Sequence, residues 1–254
     1  MNQSMAVLLE DIIGIARAAG ELVLEVYRTD FEVRGKLDTS PVTEADERAE
    51  TLILQALAAC TPQIPVISEE AAAAGRVPEV DQRFWLVDPL DGTKEFINRN
   101  GEFTVNIALI DNGEPVLGVV FAPAMQRLFA GARGCGAFIE QAGKREAIQC
   151  RTVSEEGLDV VASRSHGDAE ALDKFLDGRK VRSVKSAGSS LKICLVATGE
   201  ADLYPRLGRT MEWDIAAGHA VLAAAGGQIF TLAGDALGYG KPGLDNPHFY
   251  ARGV

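Results

Sequence analysis

The chain has 254 residues, of which 47% are hydrophobic and 24% charged, and its formal net charge is -11. These values are typical of a soluble globular protein with a buried core, and they exclude a mainly disordered chain. The negative charge argues against a nucleic-acid polymer as partner, because phosphate backbones are held by basic patches. The length suits one large domain or two closely packed halves.

Cysteine usage and hydropathy narrow the class of protein further. The four cysteines are Cys60, Cys135, Cys150 and Cys194. No Cys-x-x-Cys pair occurs among them, so we predict buried, reduced thiols rather than a disulfide framework or a zinc site. Glu10, Asp11 and Arg17 interrupt the first apolar stretch, which predicts neither a signal peptide nor a membrane span.

The N-terminal part of the chain predicts two helices separated by a loop. Apolar residues at helical spacing predict an amphipathic helix from about Ala6 to Tyr27. The polar, turn-rich segment from Arg28 to Pro41 predicts a loop. Thr43 then predicts the N-cap of a second helix, with Asp46 as its capping-box partner, and Thr61-Pro62 ends that helix.

Strand signals follow in the next part of the chain. Short apolar runs predict buried strands at Pro65–Ile67 and Phe84–Val87. Asn112-Gly113 is the strongest hairpin signal of the chain, and it joins predicted strands at Phe103–Asp111 and Pro115–Ala122.

The C-terminal part again mixes strands and helices. We predict strands at Val160–Ala162 and Val181–Val184, a helix over Ser190–Thr198, and a last helix from Asp214 to about Ala225. The alternation of helices, strands and hairpins along the whole chain indicates a layered α/β or α+β architecture.

A polar stretch marks the predicted boundary between two halves. It runs from Gln141 to Gly157 and contains few apolar residues. We therefore predict an N-terminal half over residues 1–150 and a C-terminal half over residues 151–254.

Acidic side chains recur at the ends of the predicted elements. Asp88 and Asp91 follow one predicted strand and Glu69 follows another, whereas Asp46 and Asp214 each lie at the start of a helix. Buried carboxylates must be paired or must coordinate a metal. A set of oxygen ligands without His or Cys favours Mg²⁺ over zinc or copper. The sequence therefore predicts a magnesium site where these element ends converge.

Each of these features also has an ordinary explanation. A single acid such as Asp46 is more often a helix cap or a solvated side chain. Asp88-Pro-Leu-Asp-Gly-Thr93 taken alone is compatible with a simple turn. The stretches Ser163–His166 and Gly188–Ser190 are, on their own, more often ordinary loops than ligand sites.

Four motifs taken together resemble a known family. They are Val42-Thr-Glu-Ala-Asp46, Ser68-Glu-Glu70, Asp88-Pro-Leu-Asp-Gly-Thr93 and Trp213-Asp-Ile-Ala-Ala-Gly218. In this order, and over nearly the whole chain, they resemble the lithium-sensitive inositol monophosphatase superfamily. The resemblance implies an α+β fold of the inositol monophosphatase/fructose-bisphosphatase kind, a layered α-β-α-β-α sandwich. It also implies a Mg²⁺-dependent phosphomonoesterase.

The resemblance implies roles for individual residues. Two or three Mg²⁺ ions would be held by Glu69, Asp88, the Leu90 carbonyl, Asp91 and Asp214. Thr93, hydrogen-bonded to Asp46, would orient and deprotonate the attacking water. The implied substrate contacts are Glu69, Leu90, Asp91, Gly92, Thr93, Ser163, His166, Gly188, Lys192 and Asp214.

Within the superfamily the chain most resembles the bacterial 3'(2'),5'-bisphosphate nucleotidases. The stretches that carry this likeness are Asp91–Ile97, Asn100–Ile107, Ser163–His166 and Gly188–Lys192. Two positions after Gly92-Thr93 the chain has Glu95. Inositol phosphatases resemble one another in having Asn at this position. The implied substrate is a small nucleotide bisphosphate, adenosine 3',5'-bisphosphate, which would be hydrolysed to AMP and phosphate. Such an activity would clear a by-product of sulfate assimilation.

Two other functions stay open at this stage. An inositol monophosphatase would use the same chemistry on a smaller substrate. A metal-binding regulatory protein without turnover is a different class, and the paired Asp46 and Thr93 count against it. The expected location is the cytoplasm, with peripheral attachment to the cytoplasmic face of a bacterial inner membrane as an alternative. The expected oligomeric state is a monomer or a homodimer.

Overall fold

The structure is a computed structural model that describes residues 4–35, 41–164 and 169–253. In these ranges the α-helices are α1 (Met5–Tyr27), α2 (Glu44–Cys60), α3 (Glu69–Ala73), α4 (Thr93–Ile97), α5 (Ala169–Leu176), α6 (Leu191–Ala197) and α7 (Glu212–Ala224). The first strands are β1 (Val33–Gly35), β2 (Pro41–Thr43), β3 (Val66–Ser68), β4 (Arg83–Asp91), β5 (Thr104–Asp111), β6 (Glu114–Ala122) and β7 (Arg127–Ala132). The others are β8 (Gly136–Gln141), β9 (Lys144–Ile148), β10 (Leu158–Ser163), β11 (Val181–Ala187), β12 (Leu203–Arg206), β13 (Gln228–Thr231) and β14 (Phe249–Arg252).

The larger sheet joins the strands of the N-terminal part. Its order is β3-β4-β5-β6-β7-β8-β9. β3 and β4 pair in parallel, and every later neighbour pairs antiparallel. Helices α1 and α2 pack on one face of this sheet, and α7 packs on the opposite face.

The smaller sheet belongs to the C-terminal part and has the order β11-β10-β12-β14-β13. Helices α6 and α7 lie between the two sheets and share one apolar core with both. Helix α5 covers the outer face, where the rings of Phe175 and Tyr250 are 5.8 Å apart. The predicted α-β-α-β-α sandwich of the α+β class is therefore confirmed.

The central strand β4 shows why the chain folds into layers. Trp85 and Val87 point into the core under α1 and α2, whereas Phe84 and Leu86 point into the core under α7. Because successive side chains of a strand point to opposite faces, a strand that is covered on both faces has a continuous apolar run. The apolar run Phe84–Val87, which predicts the strand, therefore reflects the burial of β4 on both faces.

Close packing of α7 against the larger sheet fixes the position of its first turn. A methyl group on Gly118 of β6 would lie 2.3 Å from the carbonyl oxygen of Ala217. Only glycine allows such an approach of backbone to backbone. The same methyl group would lie 2.8 Å from Cβ of Ala220, so the next turn of α7 is also close to β6. Asp214, on the first turn of α7, is thereby held in a fixed place beside the sheet.

Two predicted boundaries are wrong in a way that affects the site. β4 was predicted to end at Val87, but it extends through Asp91, with a shift of register between Asp88 and Asp91. Pro89 has no N–H group to donate, which is compatible with such an irregular ladder. The last helix begins at Glu212, so that Asp214 is its third residue and not its first.

The predicted loop from Arg28 to Pro41 contains short strands. Val33–Gly35 pairs antiparallel with Pro41–Thr43. Residues 36–40, which belong to the same predicted loop, lie outside the described residues.

The cysteine prediction holds only in part. All four thiols are free, as expected, but only Cys194 is buried. Cys135 is exposed because it lies in the turn between β7 and β8, and Cys60 and Cys150 are half-buried. The division into halves at residue 150 stays a prediction. None of the helices in the described part of the chain has the length and hydropathy that a membrane-spanning helix needs.

Helix α7 also carries a buried histidine that predicts a pH-dependent stability. His219 Nδ1 lies 2.9 Å from the Tyr239 hydroxyl, and burial lowers the pKa of His219 to about 3. An unfolded chain would bind this proton near pH 6.5, so the folded state loses stability as pH falls below that value. We expect the loss from His219 to reach about 2 kcal/mol at pH 5.

Urea unfolding at pH 7.5 and pH 5 measures this effect. His219→Gln should weaken the pH dependence, whereas the matched change at exposed His248 should leave it unchanged. Equal pH dependence of wild type and His219→Gln would contradict the assignment.

Candidate active site

A cavity of about 430 Å³ opens where the two sheets meet. The predicted site residues that line it are Glu69, Asp88, Leu90, Asp91, Gly92, Thr93, Ser163, Gly188, Lys192 and Asp214. Asp46 lies behind this lining, and His166 lies outside the described residues. The structure thus brings into one cavity residues that are far apart in the sequence.

Parallel pairing of β3 with β4 brings the first acids together. Ser68 lies opposite Val87, so the two strands carry Glu69 and Asp88 to the same edge of the sheet. Asp91 ends β4, and Asp214 reaches the same place from α7. We refer to Glu69, Asp88, Asp91 and Asp214 as the carboxylate wall.

The carboxylate wall concentrates negative charge in a poorly hydrated place. Burial raises the pKa of Asp88 well above its usual range, and the nearby charges of Glu69, Asp91 and Asp214 raise it further. The pKa of Asp214 is also raised well above its usual range, first by burial and then by Asp91 and Glu69. The four carboxylates of the wall favour a bound cation, because it would relieve both the desolvation and the repulsion.

Asp91 has a more balanced environment. Its Oδ2 accepts hydrogen bonds from the Ser190 N–H at 2.5 Å and from Asn106 Nδ2 at 3.4 Å. Burial raises the pKa of Asp91 to about 6, although the Lys192 charge and the Ser190 N–H act in the opposite direction. Asp91 is therefore ionised more readily than a buried acid without partners, which is what a metal ligand requires.

The donor set of the wall fits Mg²⁺. It offers carboxylate oxygens and the Leu90 carbonyl, and the described part of the chain contributes no histidine or cysteine to the cavity lining. Mg²⁺ prefers such hard oxygen ligands and takes its other ligands from water and phosphate. Within the described residues, no three His, Cys, Asp or Glu side chains form a ready-made metal-binding group.

Asp46 and Thr93 form a polar pair at the edge of the wall. The Thr93 hydroxyl lies 3.4 Å from Asp46 Oδ1 and 3.3 Å from the Leu90 carbonyl oxygen. Asp46 Oδ2 accepts hydrogen bonds from the Thr43 N–H at 2.8 Å and the Thr43 hydroxyl at 2.7 Å. This capping box, predicted from the sequence, fixes the carboxylate so that its other oxygen faces Thr93.

Gly92 shapes the backbone between the wall and the short helix α4. Its φ of +92° lies in the left-handed region, which favours glycine. A methyl group on Gly92 would also lie 3.1 Å from the carbonyl oxygen of Glu102. The first N–H groups of a helix have no partner within the helix, so the start of α4 can donate hydrogen bonds to an anion.

Cations face the carboxylate wall from the C-terminal part of the chain. We call Lys192, Arg206 and Arg209 the cationic wall, since all three line the cavity. Lys192 is buried, its Nζ donates to the Ser189 carbonyl, and it lies 5.4 Å from the centre of the Tyr204 ring. Burial lowers the pKa of Lys192 to about 8.

Sequence reasoning missed the two arginines of the cationic wall. Arg206 donates to the Ser163 hydroxyl at 3.2 Å and to the Arg209 carbonyl at 2.9 Å. Its buried Nε has no hydrogen-bond partner in the described structure. The signal was the pair of arginines shortly before Trp213-Asp214, in a segment that was assigned to no element.

Comparison with known proteins identifies the family. A model of the inositol monophosphatase family matches residues 4–251. The chain belongs to the inositol monophosphatase family. Among curated members, the 3'(2'),5'-bisphosphate nucleotidase CysQ of Escherichia coli (strain K12) is 50% identical over 234 residues, which cover 91% of this chain and 94% of the relative. The protein of the same name from Buchnera aphidicola is 40% identical over 263 residues, covering 100% of this chain and 97% of the relative.

Solved structures of the inositol monophosphatase family show the same fold. The crystal structure of CysQ from Bacteroides thetaiotaomicron has a TM-score of 0.84 and 38% identity, and the match covers 99% of both chains. An inositol monophosphatase from Anabaena has a TM-score of 0.78 and 26% identity, over 98% of this chain and 92% of that one. The family assignment made from the four sequence motifs is confirmed.

Proposed function

We propose that this protein is a Mg²⁺-dependent 3'(2'),5'-bisphosphate nucleotidase that hydrolyses adenosine 3',5'-bisphosphate to AMP and phosphate. The observation that carries the proposal is the 50% identity to a nucleotidase of that name over 91% of the chain. The cavity supports it independently, because a carboxylate wall faces a cationic wall across a space of about 430 Å³. A role in clearing this by-product of sulfate assimilation is part of the same proposal.

The proposed metal ligands are the four acids of the carboxylate wall and the Leu90 carbonyl oxygen. Bound Mg²⁺ would neutralise charge on the phosphate oxygens and lower the pKa of a coordinated water. The number of ions, two or three, is a prediction from the family resemblance.

Thr93 and Asp46 are the proposed groups that handle the proton of the attacking water. The Thr93 hydroxyl can accept a hydrogen bond from that water while it donates its own proton towards Asp46 Oδ1, 3.4 Å away. Because Thr43 holds Asp46 Oδ2, the direction of Asp46 Oδ1 towards Thr93 is fixed. The N–H groups at Gly92 and Thr93 would hold the transferring phosphoryl group, since phosphoryl transfer depends mainly on positioning and electrostatic stabilisation.

The nucleotide end of the substrate is proposed to lie along the cationic wall. Ser163, Gly188 and Lys192 line this side of the cavity, as does Arg206 with its unpartnered Nε. A second phosphate needs charged donors at a distance from the reacting one, and Lys192 and Arg206 can supply them. The contact predicted for His166 stays a prediction.

A side-by-side phosphate-release assay tests the substrate assignment. With Mg²⁺ present, kcat/KM for adenosine 3',5'-bisphosphate should exceed that for inositol 1-phosphate by at least about tenfold, the value of one charged contact. A preference for inositol 1-phosphate would instead favour an inositol monophosphatase. Folded protein without turnover of either compound would favour the non-catalytic regulatory class.

Lys192→Met tests the role of the cationic wall. Loss of this buried charge should raise KM for the bisphosphate nucleotide by about tenfold, because a hydrogen bond to a charged group contributes roughly 1.5 kcal/mol. Hydrolysis of para-nitrophenyl phosphate, which lacks the nucleoside and the second phosphate, should change little. Lys185→Met replaces an exposed lysine and is the matched control. Equal losses on both substrates would contradict a contact to the nucleotide.

A further inference from the structure

We propose that Glu102 is a positioning residue that holds the nucleotide side of the cavity against the metal side and thereby favours substrates with a nucleoside part. The inference rests on the proposed function and deepens it. Glu102 is absent from the predicted site residues, and its side chain does not line the cavity.

The Glu102 carboxylate contacts the ends of two neighbouring strands. β10 and β11 are parallel, with Ser163 opposite Ala187 at their carboxyl ends. Arg164 follows β10 and donates from Nε and Nη2 to the two oxygens of Glu102, at 3.0 and 2.8 Å. The N–H of Gly188, which follows β11, donates to Glu102 Oε2 at 2.7 Å. One side chain thus fixes both strand ends.

Glu102 itself belongs to the other sheet. It lies two residues before β5, and its own N–H donates to Asn100 Oδ1 at 2.9 Å. Its carbonyl oxygen lies against glycines on both sides of the cavity. A methyl group would come within 3.1 Å of that oxygen from Gly92 and within 2.8 Å from Gly188. The main chain of Glu102 is therefore the point at which the two sides of the cavity meet.

The two strand ends held by Glu102 lead directly to the cationic wall. Ser163 precedes Arg164 and accepts a hydrogen bond from Arg206 at 3.2 Å. Gly188 begins the turn that leads into α6 and Lys192. The carboxylate wall, in contrast, is built on α3, β4 and α7. The hydrogen bonds described above join the Glu102 carboxylate to Arg164 and Gly188 instead.

The ion pair between Arg164 and Glu102 is too exposed to contribute much to the stability of the fold, so its role is to hold the strand ends in position. The side chains of Arg164 and Glu102 are 46% and 22% exposed. Ion pairs at such exposure contribute little to stability. The two parallel hydrogen bonds from the planar guanidinium group of Arg164 instead fix the relative position of Arg164 and Glu102. Because Ser190 is also bound to Asp91 and Asn106, α6 keeps other contacts with the larger sheet when Glu102 is changed.

The test uses Glu102→Ala and Glu102→Gln in the full chain. Without the carboxylate, the strand ends can shift, and the groups that bind the nucleotide are then misplaced, which weakens substrate binding. KM for adenosine 3',5'-bisphosphate should rise about tenfold in Glu102→Ala, with kcat retained within about threefold. Glu102→Gln, which keeps an acceptor for the Gly188 N–H, should show a smaller increase. The kcat/KM for para-nitrophenyl phosphate should stay within about twofold in both variants.

Glu114→Ala is the matched control, because it removes an exposed acid that is paired with Arg133 away from the cavity. It should leave both substrates unaffected. The role of Glu102 would be overturned if Glu102→Gln lowered kcat/KM equally for both substrates, or if Glu102→Ala left KM unchanged. In either case, turnover of the bisphosphate nucleotide by the wild type would still support the proposed nucleotidase activity. Wild-type protein that does not hydrolyse the bisphosphate nucleotide would overturn the proposed function itself.

Discussion

Replacing Asp91 with Asn is expected to lower kcat/KM by on the order of a thousandfold, which corresponds to about 4 kcal/mol of lost transition-state stabilisation. Asp91 is a proposed Mg²⁺ ligand whose carboxylate is held by the Ser190 N–H at 2.5 Å. Asn keeps the size of the side chain and one acceptor oxygen, but it removes the negative charge. A cation that is held partly by water depends strongly on each ligand charge.

Phosphate release over a Mg²⁺ titration measures the effect of Asp91→Asn. Asp111→Asn makes the same exchange at the end of the neighbouring strand β5, outside the cavity lining, and should retain wild-type activity. Circular dichroism and thermal unfolding confirm that both variants fold. Near-normal turnover by Asp91→Asn would show that the carboxylate wall is not the catalytic metal site.

The second large effect is expected for Asp46→Asn, which should lower kcat by about a hundredfold to a thousandfold with KM almost unchanged. The proposed role of Asp46 is to receive the proton that Thr93 passes on, and an amide cannot do so. Asp46 is 1% exposed and lies behind the cavity lining, so its loss should not affect substrate binding directly. Thr93→Val should have a similar effect, and the double variant should be little worse than either single one.

Helix capping by Asp46 requires its own control. Thr43→Ala removes the hydroxyl that donates to Asp46 Oδ2 but leaves the carboxylate in place. It should destabilise the fold by about 1 kcal/mol while kcat is largely retained. If Thr43→Ala and Asp46→Asn lower kcat equally, or if Asp46→Asn leaves kcat unchanged, then Asp46 acts only as a cap.

The parts of the fold that were predicted from the sequence depend on local chemistry. The hairpin at Asn112-Gly113, the helix Met5–Tyr27 and the capping box of Thr43 with Asp46 are each determined by residues a few positions apart. The strands missed by prediction depend on distant partners instead. Strand β9 (Lys144–Ile148) is almost wholly exposed and has no apolar pattern from which it could be predicted. It is a strand because it pairs with β8.

The candidate site also combines residues that a local motif predicts with residues that depend on distant partners. The acids were found because they lie in compact motifs at element ends. Their positions at element ends indicated that they could converge, but spacing does not show which ends meet. Asp214 is separated from Asp91 by the rest of the N-terminal half and by much of the C-terminal half. Arg206 and Glu102 were missed because their contacts, to Ser163 and to Gly188, form only in the tertiary structure.

We propose that Mg²⁺ held by the carboxylate wall is required to remove one phosphate from a bisphosphate nucleotide. Chromatography of the products formed from adenosine 3',5'-bisphosphate tests it most directly. With Mg²⁺ we expect 5'-AMP and phosphate in equal amounts, and in excess chelator we expect neither. Release of phosphate at the same rate in chelator, formation of adenosine 3'-phosphate as the product, or no turnover with Mg²⁺ would contradict the account.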